Sequence, residues 1–201
     1  MKVTIIDYGA GNAPSVERAL ERLGADSERT NSPDKIANAE VLLLPGVGHY
    51  SALVRALDER SMRGSLVGAI RRGIPFLGIC LGLQVLFESS AESPQLHGLN
   101  LLPGNVCALP STVKLPHMGW NQILVNHESR LLAGIDCNAY FYFAHSFAAP
   151  DSNGSTTAIC FHGSPFAAVV EKQNIYGVQF HPEKSGDSGS RLLQNFLRIA
   201  A

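Results

Sequence analysis

Hydrophobic residues in the first half of the chain follow two alternating patterns. Short continuous apolar runs occupy residues 3–6, 41–44 and 76–80, which is typical of buried strands. Apolar residues at helical spacing lie between these runs: Val16, Ala19, Leu20 and Leu23; Tyr50, Leu53, Val54 and Leu57; Leu66, Val67 and Ile70. Because strands that alternate with helices across short loops form parallel sheets, this half predicts a parallel sheet covered by helices on both faces.

The second half has a different pattern. Successive strands are predicted at residues 105–109, 122–125, 140–143, 155–160, 166–170 and 175–180. Asn153 and Gly154 form a dipeptide that is typical of a hairpin turn between two of them. A last helix is expected from Gly186 onward, with Leu192, Leu193, Phe196 and Leu197 on one face. We therefore expect an α/β fold with a mostly parallel sheet and a smaller antiparallel part.

Composition narrows the possible partners. The chain has 201 residues, of which 45% are hydrophobic, so we expect one domain over residues 1–201. A formal net charge of −1 with 16% charged residues leaves no basic stripe, which argues against nucleic acid and membrane surfaces as partners. No apolar run reaches membrane-spanning length, and the run after Lys2 is too short for a signal peptide.

The cysteine and glycine patterns bear on the cellular compartment and on possible metal or nucleotide sites. Four widely spaced cysteines with no Cys-x-x-Cys pair are typical of the reducing cytoplasm and predict neither a metal site nor a disulfide scaffold. The glycines at residues 9 and 11 resemble the start of a dinucleotide-binding motif, but Pro14 occupies its third glycine position. No Gly-x-x-x-x-Gly-Lys phosphate loop is present either. We therefore expect no cofactor.

Cys80 lies where the strand over residues 76–80 turns directly into the apolar segment 81–87, which we predict to be helical. With Gly78 and Gly82 this forms the Gly-x-nucleophile-x-Gly elbow, with cysteine in place of serine. Glycines allow neighbouring backbone to crowd the bend, and the start of a helix favours the thiolate, which is the reactive form. The alternative is a small buried cysteine in a core strand. The two flanking glycines favour the nucleophile.

A thiolate nucleophile needs a base and a group that orients the base. Among seven histidines, His181 follows a predicted strand and precedes Pro182 and Glu183. Side chains two residues apart in extended chain project to the same side, so Glu183 can hold the imidazole. A surface turn is the alternative, whereas a metal site built on Cys80 and His181 lacks the usual close spacing. Residues 45–48, Pro-Gly-Val-Gly, either form a tight connection or present a backbone N–H to an oxyanion.

The segments 78–84, Gly-Ile-Cys-Leu-Gly-Leu-Gln, and 179–183, Gln-Phe-His-Pro-Glu, together resemble class I glutamine amidotransferases, and the resemblance covers essentially the whole chain. It implies the sandwich fold of that family and hydrolysis of glutamine, with Cys80 as nucleophile, His181 as base and Glu183 as the residue that orients it. It further implies that backbone amides form the oxyanion hole and that a set of side chains holds the substrate. The oxyanion residues would be Val47 and Leu81, and the glutamine pocket would contain Gly48, Gln84, His145, Ser146 and Phe147.

Four further segments are similar to the branch of this family that serves as the glutaminase of imidazole glycerol phosphate synthase, in histidine biosynthesis. They are residues 7–12, 45–48, 116–121 and Lys184. Small departures occur at residues 13–14, at Leu83 and at Phe147, where tyrosine is frequent. The resemblance implies a heterodimer with a (β/α)₈ cyclase subunit that uses the ammonia. The residues expected to contact that partner are Asn12, Met118, Trp120 and Lys184.

Two other functions remain open at this point. The chain can belong to a different amidotransferase, such as anthranilate or aminodeoxychorismate synthase, against which Trp120 and Lys184 argue. It can also be an inactive binding module, which the intact Cys80, His181 and Glu183 make a poor explanation.

Overall fold

The computed structural model describes residues 1–151 and 154–201, and the elements below are those found within these ranges. The first half contains β1 (Lys2–Ile6), α1 (Ala13–Arg22), β2 (Asp26–Thr30), α2 (Pro33–Ala37), β3 (Val41–Gly46), α3 (Tyr50–Glu59), α4 (Met62–Arg71), β4 (Phe76–Cys80), α5 (Leu81–Gln84) and β5 (Ser89–Ser90). The second half contains β6 (Asn105–Ala108), β7 (His117–Gln122), β8 (Leu124–Val125), β9 (Tyr140–His145), β10 (Phe147–Ala148), β11 (Thr156–His162), β12 (Ser164–Lys172), β13 (Ile175–Val178), a 3₁₀ turn (Pro182–Lys184) and α6 (Gly186–Ala200).

The described strands form one large mixed sheet and two small ones. The large sheet has the order β2-β1-β3-β4-β13-β12-β11-β8. The strands from β2 to β13 in this order are parallel, whereas β12, β11 and β8 continue the sheet in antiparallel fashion. The small sheets are β10-β6-β5 and β7-β9. The predicted α/β class, with a mostly parallel sheet and a smaller antiparallel part in the second half, is confirmed.

The two faces of the large sheet are covered by different helices. Leu43 of β3 belongs to a core that includes Leu20 of α1 and Phe196 of α6. Leu42 and Leu44 of the same strand belong to a second core with α3 and α4. Alternate side chains of one strand thus enter opposite cores, which explains why residues 41–44 are continuously apolar.

The first half contains a strand and a helix that the hydrophobic pattern did not predict. β2 has the polar sequence Asp-Ser-Glu-Arg-Thr and lies at the edge of the large sheet. Because only Thr30 of this strand is buried, β2 needs no apolar run. The short helix α2 follows it, capped by Ser32. The segment 41–44 therefore belongs to the third strand of the chain and not to the second.

The helix after Cys80 is shorter than predicted. α5 ends at Gln84, and the chain over residues 85–87 is not helical. The reason is that the carbonyl groups of these residues are used by a neighbouring segment: Val85 O accepts from Leu99 N at 2.7 Å, and Leu86 O accepts from Leu101 N at 2.9 Å. Residues 85–87 therefore bury their apolar side chains without continuing the helix, because their carbonyl groups accept hydrogen bonds from another segment.

Two other sequence expectations concern the antiparallel part. The predicted strand over residues 122–125 is instead the end of β7 and the short β8, separated by Ile123. Residues 117–121 belong to β7, which pairs with β9 along its length. The predicted Asn153–Gly154 turn lies partly outside the described residues.

The sheet brings distant parts of the chain to one edge. Gly46 at the end of β3 is in register with Cys80 at the end of β4. On the other side of β4, Ile79 is in register with Val178, the last residue of β13. The residues that follow β13, including His181, therefore emerge beside Cys80, at the edge where α/β sheets bind ligands. No helix in the described ranges has both the length and the apolar character needed to cross a bilayer.

Candidate active site

Cys80 occupies a strained corner between β4 and α5. Its backbone has φ 55° and ψ −109°, a conformation that residues other than glycine rarely adopt. Such a backbone costs about 1–3 kcal/mol and persists only where the surrounding structure enforces it. Two glycines provide that enforcement, because a Cβ on Gly82 would overlap Leu44 O and a Cβ on Gly78 would overlap Gly82 O. The strand and the short helix therefore pack backbone against backbone, and only glycine fits at either position.

His181 and Glu183 form a buried pair beside this corner. His181 Nδ1 donates to Glu183 Oε1 at 2.9 Å, so the other ring nitrogen is left available to Cys80, which lines the same cavity. Two main-chain bonds hold His181 in place. Its N–H donates to Tyr142 O at 2.8 Å, and its carbonyl accepts from Ser185 Oγ at 2.6 Å.

The charges of this group are set by mutual contacts. Burial opposes a charged imidazole, but the hydrogen bond and negative charge of Cys80, together with those of Glu183, raise the pKa of His181 to about 10. Burial also opposes a charged carboxylate at Glu183. The hydrogen bond and charge of His181, with a further bond from Asn12, still lower the pKa of Glu183. A protonated imidazole next to a cysteine is the environment in which a thiolate is stabilised.

Asn12 is a third member of the buried pair's hydrogen-bond network. Its Nδ2 donates to Glu183 Oε1 at 2.9 Å, the same oxygen that accepts from His181. We predicted Asn12 as a partner contact from the sequence. The structure places it in the cavity next to Cys80, where it orients the carboxylate.

The backbone N–H groups of the two predicted oxyanion residues differ in whether another hydrogen bond already uses them. Leu81 directly follows Cys80 and opens α5, as the elbow requires. The N–H of Val47 instead donates to the hydroxyl of Tyr8 at 3.1 Å, and that hydroxyl donates to Val47 O at 3.0 Å. Tyr8 is buried, and burial raises its pKa to about 12, so the phenol is neutral and able to make both bonds. The N–H of Val47 is therefore bonded to Tyr8 and does not point to an oxyanion in this structure.

A cavity of about 350 Å³ opens in front of Cys80. Its lining includes every residue predicted for the oxyanion hole and the glutamine pocket: Val47, Gly48, Leu81, Gln84, His145, Ser146 and Phe147. Cys80, His181, Asn12 and Lys184 also line it, whereas Glu183 lies behind His181. The chain therefore brings the predicted substrate residues to one space beside the nucleophile.

Glu92 is a lining residue that the sequence analysis did not identify. Its Oε2 accepts from the N–H of Tyr50, the first residue of α3, at 2.7 Å. The carboxylate is thereby held at a helix N-terminus, where negative charge is favoured. A single glutamate with no recognisable motif around it gives no local sequence signal, so the sequence analysis did not identify it.

Gln84 and Gln179 link the cavity to the sulfur. Gln84 Nε2 donates to Phe147 O at 2.8 Å and to Gln179 Oε1 at 3.0 Å. Gln179 Nε2 in turn lies 3.5 Å from Cys80 Sγ. Gln84 Oε1 is buried and has no partner among the described residues. Gln179 belongs to the segment 179–183 that carried the family resemblance, but the sequence assigned it no role.

The wall of the cavity at His145 is neutral. His145 Nδ1 donates to Phe147 O at 2.9 Å, which leaves its Nε2 to accept from His117 Nδ1 at 3.1 Å. Burial lowers the pKa of His145 to about 3 and that of His117 to about 4. His162 stacks on His117 with ring centroids 4.2 Å apart. Despite these histidines, the described residues contain no cluster suited to a metal ion.

The predicted partner residues outside the cavity lie on its outer rim. Met118 and Trp120 of β7 are exposed by 64% and 56%. Trp120 contacts Tyr142 edge to face at 6.1 Å, and Lys184 Nζ lies 5.5 Å from the centre of the same tyrosine ring. Because Lys184 also lines the cavity, this exposed aromatic surface is continuous with its mouth.

Comparisons with known proteins agree with this geometry. A family model described as glutamine amidotransferase class-I matches residues 4–200. The chain is similar to the imidazole glycerol phosphate synthase subunit HisH of Methanothermobacter thermautotrophicus, with 46% identity over 98% of both chains. It is 44% identical to the protein of the same name from Salinibacter ruber, over 98% of this chain and 94% of the other. A crystal structure of a glutamine amidotransferase has the same fold, with a TM-score of 0.79, 18% identity and 98% of each chain covered. Because the family model matches nearly the full length of the chain and these relatives are more than 40% identical to it, the chain belongs to the class I glutamine amidotransferase family.

Proposed function

We propose that the chain, acting as one unit over residues 1–201, is the glutaminase subunit of an imidazole glycerol phosphate synthase. The observation that carries this proposal is that Cys80 and His181 line one cavity large enough for an amino acid, with Glu183 bonded to His181 from behind. The relatives named as subunits of that synthase support the choice of pathway.

The reaction we propose is hydrolysis of the glutamine side-chain amide in two stages. The Cys80 thiolate attacks the amide carbon, and the tetrahedral intermediate carries a negative oxygen near the Leu81 N–H. His181 gives its proton to the departing nitrogen, so ammonia leaves and a thioester remains. A water molecule then loses a proton to His181 and attacks the thioester, which releases glutamate and restores Cys80. Glu183 and Asn12 keep the imidazole oriented throughout.

The lining of the cavity fits the two ends of glutamine. Glu92 supplies a carboxylate for the α-ammonium group, since it is held at the cavity wall with one oxygen on Tyr50 N. Gln84 lies in the same wall, where its carboxamide is held by Phe147 O and Gln179. Gly48, Ser146 and Phe147 complete the walls, and the neutral His145 fixes the Phe147 carbonyl.

Ammonia from this reaction requires a second subunit. We propose a (β/α)₈ cyclase that joins it to a phosphoribosyl formimino intermediate, giving imidazole glycerol phosphate and an aminoimidazole carboxamide ribotide. The heterodimer would form in the cytoplasm and need no cofactor in this chain. The exposed surface of Met118 and Trp120, which continues to Lys184 at the cavity mouth, is the face we assign to the cyclase. Asn12 would approach it from inside the cavity.

The experiment is product formation by the reconstituted complex, fed first glutamine and then an ammonium salt at alkaline pH. Cys80→Ala should abolish glutamine-dependent synthesis and preserve ammonia-dependent synthesis, because only the source of ammonia is lost. Cys137→Ala, which changes an exposed free cysteine, is the matched control and should keep both activities. Loss of both activities in an assembled Cys80→Ala complex would contradict the division of labour. Glutamine-dependent turnover in that variant would remove Cys80 as the nucleophile.

A further inference from the structure

Gln179 contacts the reacting sulfur from within the protein interior. It follows directly after β13, and its side chain is fully buried. Its main-chain N–H donates to Ala168 O at 2.9 Å, which fixes the backbone from which the side chain extends. Its Nε2 lies 3.5 Å from Cys80 Sγ. A buried primary amide has therefore been placed against the atom that carries out the proposed chemistry.

The hydrogen-bond network determines which end of this amide faces the sulfur. Phe147 O is a main-chain carbonyl and can only accept, so the atom of Gln84 that contacts it at 2.8 Å must be Nε2. That same Nε2 lies 3.0 Å from the Gln179 side chain, which must therefore present its oxygen to Gln84. The remaining group of Gln179, its NH₂, is the one that faces Cys80. The orientation thus follows from a main-chain anchor and not from a choice between two similar atoms.

We propose that Gln179 is a catalytic residue whose amide N–H donates to the Cys80 sulfur and stabilises its thiolate form, which deepens the function proposed above and rests on it. A thiolate accepts stronger hydrogen bonds than a neutral thiol, since bonds to an ionised partner are roughly twice as strong. The donor also helps to fix the position of the sulfur beside His181. As the NH₂ group is enclosed by protein, no water molecule needs to be displaced when the negative charge forms.

The same network connects the sulfur to the substrate cavity. Gln84 lines that cavity and holds the oxygen of Gln179, so both carboxamides form one chain from the Phe147 carbonyl to Cys80. Substrate that contacts Gln84 therefore acts on the residue that positions Gln179. Two other ionisable groups interact with Cys80, the imidazole of His181 and the phenol of Tyr8.

The test measures the reactivity of the sulfur directly, without glutamine. The isolated chain is alkylated with iodoacetamide across a range of pH, and modification of the peptide that contains Cys80 is followed by mass spectrometry. Gln179→Met keeps the approximate volume of the side chain and removes the donor. We expect its Cys80 alkylation rate at neutral pH to fall about tenfold, the effect of losing a hydrogen bond to a charged group, and the pH profile to move toward higher pH. Gln95→Met, on the exposed surface, is the control and should alkylate as the unmodified chain does.

A second variant separates catalysis from packing. Gln179→Glu has the same shape but replaces the donor with a carboxylate, so it should slow alkylation at neutral pH at least as much as Gln179→Met. In the reconstituted complex, both variants should lower kcat with glutamine about tenfold, leave KM for glutamine nearly unchanged and keep ammonia-dependent synthesis. Alkylation at the unmodified rate in both variants would overturn the proposal. Failure of both to fold would assign Gln179 to the core and overturn it as well. Because alkylation needs no glutaminase activity, the alkylation results are independent of whether the proposed function is correct.

Discussion

At the scale of single residues, the most consequential contact is the pair of hydrogen bonds between Tyr8 and Val47. One phenol satisfies both the N–H and the carbonyl of Val47, at 3.1 and 3.0 Å. The next residue, Gly48, has φ 95°, a conformation that glycine adopts readily, so the loop can turn at this point. The N–H that we assign to the oxyanion hole is therefore held elsewhere until that contact is broken, and the isolated chain should be a poor glutaminase.

Tyr8→Phe should raise the glutaminase rate of the isolated chain. Removal of the hydroxyl leaves the Val47 N–H without its partner, so turning it toward an oxyanion no longer breaks a hydrogen bond. One oxyanion donor is worth about 10²–10³ in rate, which sets the upper limit of the gain. The measurement is glutamate release with and without the cyclase subunit. Tyr50→Phe, which removes a buried hydroxyl that has no partner among the described residues, should leave the rate unchanged. A lone subunit that already works at the full rate of the complex would contradict the gating.

The sequence was sufficient to predict those site residues that belong to short local motifs. Cys80 is marked by its flanking glycines, and Glu183 lies two positions after His181, so each motif describes its own geometry. Tyr8, Glu92 and Gln179 have roles that depend on partners 39, 42 and 99 positions away along the chain. No spacing rule connects such residues, and only the folded sheet brings them together.

At the scale of elements, the close packing of α5 against β3 and β4 sets the position of Cys80. The hydrophobic pattern predicted β1, β3 and β4 because strands buried on both faces must be apolar. It did not predict β2, whose edge position permits a polar sequence, nor the end of α5 at Gln84, which depends on hydrogen bonds from residues 99–102. Element type was therefore predictable where burial dictates it and not where a distant partner does.

Gly82→Ala should destabilise the protein by about 1–3 kcal/mol or more, the range typical of overpacking. The added methyl would overlap the main-chain oxygen of Leu44, which cannot move without shifting β3. Gly64→Ala on α4 is the matched control, since a Cβ there meets no atom within 4 Å. It should stabilise by about 0.5–1 kcal/mol, as alanine is the better helix former. Urea unfolding of both variants measures these changes, and equal stability of the two would contradict the packing argument.

At the scale of the whole molecule, Met118 and Trp120 leave a largely exposed apolar face on β7. Trp120→Ala should weaken binding to the cyclase by at least about 1 kcal/mol, because tryptophan is a frequent anchor of protein interfaces. The far-UV circular dichroism should not change, since the side chain is more than half exposed. Leu124→Ala, on the edge strand β8, is the comparison and should have a smaller effect. Equal affinity of Trp120→Ala and the unmodified chain, measured by calorimetry, would place the interface elsewhere.

The stability of the whole chain should fall as the pH is lowered from about 6.5 to 4. His117 has a folded pKa of about 4, below its ordinary value of 6.5, so the unfolded chain binds a proton in this window and the folded chain does not. The loss from His117 is at most about 3 kcal/mol, and His145 acts in the same direction. Urea unfolding at several pH values should show a weaker acid dependence in His117→Gln than in His97→Gln, which changes an exposed histidine. If the free energy of unfolding depended on pH equally in both variants, protonation of the buried His117 would not destabilise the fold.

The central position of β13 has a consequence for synthesis on the ribosome. β4 leaves the ribosome about one hundred residues before β13, which later pairs with it. Until then, β4 is an open edge of the nascent sheet, the kind of edge on which other chains aggregate. The segment that closes this edge also delivers Gln179 and His181 to the sulfur. A half-made chain therefore has the nucleophile without its base, and the event that ends the aggregation hazard is the same one that allows glutamine to be consumed.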